Sequence, residues 1–227
     1  YESFYKYDMV NKKNLNIPPI LKPYCSEVQP HVLYIDSKNI LWLSSEMKGF
    51  IGYDLTENKL VHPNFNIGKN KTPMILKILE ETDGNLYLGT TSGMYKYDRK
   101  QSEIKEIKEI RSFLNKHKLS DFAFRFTIDT KGKLWIFSTP KYKEDDAMYS
   151  FDPLSKDIKL FTQDKYPALK RLKSLESVAS ISPDKLMITS FNGFCVVNIS
   201  NDIPSFEIFQ SYNDKPLGIF GSVIKDH

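Results

Sequence analysis

The chain has 227 residues, 41% hydrophobic and 13% aromatic, which is enough to bury a large core within one all-β domain. A charged fraction of 26% without low-complexity tracts excludes a disordered chain, and a net charge of +4 falls short of a nucleic-acid-binding surface. No apolar run approaches the ~18 residues that span a membrane, and the first residues, YESFYKYD, are neither a signal nor a transit peptide.

In chain order the predicted elements recur. Tyr5-Lys6-Tyr7-Asp8 matches Tyr95-Lys96-Tyr97-Asp98, so residues 1–30 read as an incomplete unit that supplies only outer strands. The first whole unit, 31–72, runs HVLYI, then DSKNILWLSS (36–45), GFIGYD (49–54) and KLVHPNF. The second, 73–121, runs ILKIL, DGNLYLGTTS (83–92), GMYKYD (93–98) and SEIKEIKEI. The three-residue rhythm of Ile104, Ile107 and Ile110 predicts that this last run begins as a strand and ends as a short helix. The third, 122–175, runs FAFRFTI, DTKGKLWIFS (129–138), AMYSFD (147–152) and DIKLFTQ, with an insert, TPKYKEDDA, before Met148. The fourth, 176–216, runs ESVASI, SPDKLMITSF (182–191), NGFCVVN (192–198) and SFEIFQ. The closing FGSVIKDH matches a first strand and its turn, so 217–227 read as another incomplete unit.

Each whole unit holds four period-two strands rich in β-branched and aromatic residues. The anchor residues Leu41, Leu86, Leu134 and Leu186 stand 45, 48 and 52 apart. Four strands in each repeat of that length are the pattern of a β-propeller blade. The chain thus reads as about four whole blades with partial blades at both ends, a fragment of a larger propeller in which neighbouring blades bury each other's faces. Gly84 and Gly132 fall where a tight hairpin needs positive φ, and Asp36, Asp83, Asp129 and Asp184 are placed to cap those turns. Trp42, Tyr87, Trp135 and Met187 occupy one repeat position, where a large side chain fills the space between blades.

The run Asp83-Gly84-Asn85-Leu86-Tyr87-Leu88-Gly89-Thr90, followed by Gly93-Met94-Tyr95-Lys96-Tyr97-Asp98, resembles the two-component regulator propeller repeat. The likeness covers nearly the whole chain. It departs from the pattern at Ser44 and Phe137, which replace the glycine, and at Met187, which replaces the aromatic. The resemblance implies the periplasmic sensor region of a hybrid two-component histidine kinase, an inner-membrane protein whose kinase lies elsewhere in the chain. This segment would be non-catalytic and not membrane-embedded. Its partners would be an oligosaccharide or another small ligand, the rest of the same sensor chain, and a second copy in a homodimer. The alternatives are a propeller scaffold for protein–protein interaction and a propeller enzyme of lyase or oxidoreductase type.

The residues offer little catalytic chemistry. There is no Gly-x-Ser-x-Gly elbow, no His-Glu-x-x-His pair and no phosphate-binding loop. His31, His62, His117 and His227 fall at unrelated repeat positions, so neither a metal nor an organic cofactor is expected. Cys25 and Cys195 match no metal-type spacing and read as buried free thiols, or as a disulfide in an exported protein. Glu80-Glu81 and Asp145-Asp146 read as solvated turn residues.

Charge sorted by blade face is more informative. Eleven basic residues fall in inter-blade loops: Lys22, Lys69, Lys71, Arg111, Lys116, Lys118, Lys165, Lys170, Arg171, Lys173 and Lys215. Five acidic ones accompany them, Glu27, Asp121, Asp164, Glu176 and Asp214, leaving an excess of +6 on that face, more than the net charge of the whole chain. A one-signed face attracts the opposite charge. Lys77 and Arg125 stand out further, at matching places in the innermost strands where the other blades have Val32 and Val178. A ligand is therefore expected over the inter-blade loops, bound by Arg125, Tyr142, Arg171, Lys173 and Lys77, with Tyr166 and Asn192 nearby. Such a set would stack a sugar ring on an aromatic and hold its acidic group with Arg and Lys.

Overall fold

The computed structural model describes residues 6–25, 32–45, 49–65, 73–122, 125–138, 147–172, 175–201 and 203–217. They fall into two compact units, Tyr1–Glu106 and Ile107–His227.

The first unit opens with an antiparallel hairpin, β1 (Lys6–Asp8) and β2 (Lys13–Leu15), and a turn of helix, α1 (Lys22–Cys25). An antiparallel sheet follows in chain order: β3 (Val32–Ile35), β4 (Ile40–Ser45), β5 (Gly49–Asp54) and β6 (Lys59–Val61). After β7 (Asn64–Phe65), a second sheet runs β8 (Ile75–Glu80), β9 (Leu86–Thr90), β10 (Gly93–Asp98) and β11 (Glu103–Glu106). Here one expectation needs correcting. The run KLVHPNF is not a single outer strand: Lys59–Val61 closes its own sheet, whereas Asn64–Phe65 pairs in parallel with β11 of the next. Pro63 divides them because it has no N–H to continue the first ladder.

The second unit begins with α2 (Lys108–His117), the short helix expected after the outer strand, which buries Ile110 and Leu114. Two four-stranded antiparallel sheets follow. One is β12 (Arg125–Ile128), β13 (Leu134–Ser138), β14 (Ala147–Phe151) and β15 (Ile158–Phe161). The other is β16 (Leu175–Ser182), β17 (Lys185–Ser190), β18 (Gly193–Asn198) and β19 (Ser205–Phe209). A two-stranded hairpin, β20 (Ser211–Tyr212) and β21 (Lys215–Pro216), comes last, turning through Asn213 and Asp214 at positive φ. The FGSVIKDH run lies outside the described residues from 218 onward.

All four sheets share one register. The anchor leucines pair across the second and third strands as Leu41–Tyr53, Leu86–Tyr97, Leu134–Phe151 and Leu186–Val197. The fold is all-β and built of propeller blades. Alternation along each strand gives two apolar faces, and the face carrying the large second-strand aromatic packs on the opposite face of the next sheet. In the first unit Trp42 and Phe50 pack with Ile78, Leu86, Leu88 and Tyr97. In the second, Trp135, Phe137 and Phe161 pack with Val178, Leu186, Ile188 and Val197.

Burying a tryptophan this way buries its N–H, which needs an acceptor. Asp36 Oδ2 accepts from Trp42 Nε1 at 2.6 Å, and Asp129 Oδ2 accepts from Trp135 Nε1 at 2.9 Å. Each carboxylate also caps its hairpin: Asp36 Oδ1 accepts the N–H groups of Lys38 and Ile40, and Asp129 Oδ1 those of Lys131 and Lys133. The hairpins turn at positive φ through Asn39 at 59° and Gly132 at 79°, and the second sheet's through Gly84 at 83°.

The register corrects which residues share this role. Five residues before the anchor, where the aromatic's acceptor sits, stand Asp36, Glu81, Asp129 and Ile181; Asp83 caps its turn as expected, accepting from the Asn85 N–H at 2.8 Å, without reaching the aromatic. Glu81 accepts from Tyr87 Oη at 3.1 Å, while Ile181 faces a position where Met187 has nothing to donate. Donor and acceptor change together across the repeats.

Asp36 also binds forward into the next sheet. Arg99, in the turn after β10, donates through Nη2 to Asp36 Oδ2 at 2.6 Å and to Glu80 Oε1 at 3.4 Å, and through Nε to the Gly84 carbonyl. Burial alone would raise the Asp36 carboxyl, but hydrogen bonds from Arg99, Trp42 and the Ile40 and Lys38 backbone hold it below its ordinary value. Removing one partner of a buried pair costs roughly 3–5 kcal/mol, against about 1–3 kcal/mol for orphaned hydrogen-bond donors. Asp36→Ala is therefore expected to lower stability to chemical denaturation clearly more than Asp129→Ala, which strands no arginine. Equal losses would contradict this account.

Candidate ligand-binding site

The loop entering β16 carries Arg171. It is a single 3₁₀ turn, Pro167–Arg171, in which Pro167 presets the first φ and Leu169 is buried beneath it. Leu172, next to Arg171, anchors the segment in the core of the second unit. Two side chains from the same end of the fourth sheet grip this loop. Asn192, in the β17–β18 turn, donates from Nδ2 to the Arg171 carbonyl at 2.8 Å, and Gln210, just past β19, donates from Nε2 to the same carbonyl at 2.8 Å. Gln210 Oε1 in turn accepts from Arg171 Nη2 at 3.2 Å. The guanidinium is exposed yet held at both ends of its residue. Phe191, beside Asn192, and Tyr212, two residues past Gln210, are exposed large rings at 45% and 72%. A fixed guanidinium with exposed aromatic surface at the same loops can take an acidic group bidentately while an apolar sugar face rests on a ring.

The remaining expected residues are distributed as follows. Tyr142 and Lys173 lie outside the described residues. Lys77 belongs to the first unit, and Arg125 to the second, where it stands on β12 rather than in the Arg171 loop. Their equivalence holds: Lys77 pairs with Gly89 and Arg125 with Phe137, each three residues past the anchor leucine. Val32, paired with Ser44, is the same position. Val178 is not. Ser177, which pairs with Thr189, holds that position, and Val178, paired with Ile188, is a core residue instead. Asn192 is engaged in holding the Arg171 loop, and Tyr166 packs edge-on against Phe161. Gln210, Phe191 and Tyr212 were not singled out, because a glutamine after a strand and rings in short turns carry no repeat signal.

Part of the loop charge is neutralised locally. Arg111 pairs with Asp121 at 2.9 Å and Lys170 with Asp164 at 3.1 Å, whereas Arg171 is set by the neutral Gln210. The Glu80-Glu81 pair, expected to be solvated, is not. Glu80 accepts from Ser37 N and Oγ at 2.8 and 2.6 Å and from Arg99, and Glu81 pairs with Lys96, whose ammonium lies over the Tyr87 ring. Asp145 and Asp146 lie outside the described residues. Cys195 is a free thiol deep in the core, pushed up to about 12 by burial, while the Cys25 side chain is not described. Among the described residues no group of three His, Cys, Asp or Glu is placed to hold a metal ion, and no helix is long and apolar enough to cross a membrane.

No family model and no curated protein matches the chain. Solved structures do match it, as the repeat resemblance implied. The extracellular domain of a hybrid two-component system of B. thetaiotaomicron aligns at TM-score 0.55 and 16% identity over 94% of this chain and 24% of that one. Another such extracellular domain from B. thetaiotaomicron aligns at TM-score 0.60 and 18% identity over 88% of this chain and 24% of that one. A gluconolactonase of Xanthomonas campestris aligns at TM-score 0.55 and 9% identity over 91% of this chain and 73% of that one. Identities this low show a shared propeller fold, and the chain spans about a quarter of the length of those extracellular-domain chains.

Burial pushes the Lys77 ammonium down to about 8, below the ~10.4 of a free lysine. Between those values the unfolded chain binds the extra proton, so stability rises with pH there, and the cost of Lys77 is full below pH 8. At about 1.4 kcal/mol for each pKa unit, Lys77→Met is expected to stabilise the protein at pH 7 by up to about 3 kcal/mol. The difference from wild type should shrink as pH rises toward 10 in parallel denaturation curves, and a difference independent of pH would refute it.

Proposed function

We propose that this chain is the ligand-binding part of an extracytoplasmic sensor of the two-component type, recognising an oligosaccharide with acidic groups and passing its presence to a kinase elsewhere in the protein. Binding, with no chemical step, is its role in this reading. The observation that carries the proposal is the Arg171 guanidinium, exposed among loop aromatics and held by Gln210. Fixing a cation before its ligand arrives reduces the entropy lost on binding. The propeller fold shared with extracellular domains of B. thetaiotaomicron two-component systems supports the same reading.

A charge-assisted hydrogen bond contributes about 1.5–3 kcal/mol, equivalent to roughly ten- to a hundredfold in affinity. Titrating the intact protein calorimetrically with acidic and neutral oligosaccharides is expected to show binding of an acidic one that weakens with salt. Arg171→Ala should lower that affinity by at least about tenfold. Gln210→Ala, which keeps the charge but releases it, should also weaken binding and leave less of the salt dependence lost. Unchanged affinity in Arg171→Ala, or binding insensitive to salt, would overturn the proposal.

A further inference from the structure

The hairpin that follows the fourth sheet is built onto the Arg171 loop. β19 continues through Gln210 into β20. Phe209 ends the pairing with β18, and the Leu217 N–H, donating to the Gln210 carbonyl at 2.8 Å, begins the pairing with the returning strand. Gln210–Leu217, Ser211–Pro216 and Tyr212–Lys215 then form one ladder, closed by Asn213 at φ 49° and Asp214 at φ 62°. Two successive left-handed residues make the turn whose twist matches its flanking strands. The hairpin is short, but its register is set from base to tip.

Alternation sorts its side chains onto two faces. Ser211 and Pro216 take one. Gln210 and Tyr212, with Leu217 and Lys215 across the ladder, take the other. Gln210 identifies this second face as the one that meets Arg171: its Nε2 donates to the Arg171 carbonyl and its Oε1 accepts from Nη2. The same row begins in β19 with Phe206 and Ile208, which pack on the core of the second unit, where Tyr166 lies against Phe206. Tyr212 is therefore the next side chain of the row that holds the guanidinium, about 7 Å beyond Gln210 along the strand. Phe191 is outside this row, in the β17–β18 turn beside Asn192, and is the less exposed of the two rings.

The charges on this face leave one cation for a ligand. Among the described residues Arg171 has no carboxylate partner; Asp164 is taken by Lys170. Lys215 has Asp214 next to it in the turn, so its charge is offset within the hairpin. Glu207 falls on the other face of β19 with Phe209, which stacks on Phe194. Spacing then restricts what can use both groups. A sugar ring resting on Tyr212 spans the step to Arg171 with one of its own substituents and a charge-assisted hydrogen bond of about 2.8 Å. An acidic group on the adjoining sugar would overshoot the guanidinium.

We propose that this hairpin face reads a single acidic sugar: Tyr212 carries the ring, and Arg171, set by Gln210, takes the carboxylate or sulfate borne by that same ring. This rests on the Arg171 reading above and narrows its ligand class to uronic acids and sulfated monosaccharide units, whether free or at the end of a chain.

The test is competition. D-glucuronate, D-galacturonate and galactose 6-sulfate, with galactose as the neutral control, are added to the intact protein loaded with the acidic oligosaccharide that binds in the titration above. At least one acidic monosaccharide is expected to displace it, with saturation transfer in NMR strongest at the ring C–H protons, and galactose is not. Displacement by a uronate identifies the carboxylate as the group read, and displacement by the sulfated sugar identifies the sulfate. Tyr212→Ala should weaken binding about three- to tenfold, the range of one aromatic contact, and keep its salt dependence. Tyr212→Phe should bind as wild type, and Phe191→Ala should change nothing.

No competition from any acidic monosaccharide, unchanged binding in Tyr212→Ala, or an equal loss in Phe191→Ala would overturn this proposal while Arg171-dependent binding of the oligosaccharide stands. Loss of affinity in Tyr212→Phe would overturn it as well, since the ring would then act through its hydroxyl. Binding that ignores salt and Arg171→Ala, or no binding of any acidic saccharide, would overturn both readings together.

Discussion

In the two tryptophan-bearing sheets, core, turn and register are tied together by satisfying one indole N–H in a buried place. The second strand offers a large aromatic to the next sheet, because only a wide, flat side chain fills a gap between two twisted apolar faces. Once buried, its polar atom requires an acceptor, and the nearest backbone is already committed to the ladder. A carboxylate six residues earlier supplies it: Asp36 for Trp42 and Asp129 for Trp135. That carboxylate must sit in the hairpin turn, so it also caps the turn, and the turn in turn sets the register of the first two strands. One requirement thus links core, turn and register. Where the aromatic becomes Met187, the acceptor is lost with it.

Legibility followed the same division. The blade was visible because its signals are local: alternation, turn residues and the anchor leucines all lie within one repeat. The second unit's helix was visible because three isoleucines at three-residue spacing fit a strand only briefly. What escaped the reading depends on register. The equivalence of Val178 with Lys77 failed because Val178 stands one residue nearer its anchor leucine than Lys77 does, so its side chain turns to the other face and Ser177 holds the matching register position. Asp83 looked like the partner of Asp36 because both precede a turn, yet the acceptor is Glu81, whose longer side chain reaches the more distant Tyr87 hydroxyl. The candidate site was legible only at Arg171. Gln210 becomes part of it through a contact spanning 39 residues, which spacing within a repeat cannot reveal.

Arg99 and Ile199 show how a repeat scaffold diverges without changing its fold. Both positions leave the third strand in the same place and both support the adjoining sheet, one through a guanidinium and the other through apolar packing. An ion pair of that kind is directional and fixes the approach of two sheets, whereas an isoleucine tolerates small shifts. The first solution fills the space beside the tryptophan and the second leaves part of it open to solvent. Variation of this sort alters what lies between blades while every strand keeps its neighbours.

The short strand β7 has a consequence for how the repeats could be exchanged. Asn64–Phe65 belongs by sequence to one repeat but adds an edge strand to the sheet of the next, beside Glu103–Glu106. The modules are therefore laced together at their rims, and their boundaries in the chain differ from their boundaries in space. Swapping or deleting a repeat at its sequence period would strip the following sheet of its border and bare the backbone of β11, the kind of edge that pairs with foreign strands. A functional shuffle must move Asn64–Phe65 with the sheet it borders, not with the strands that precede it.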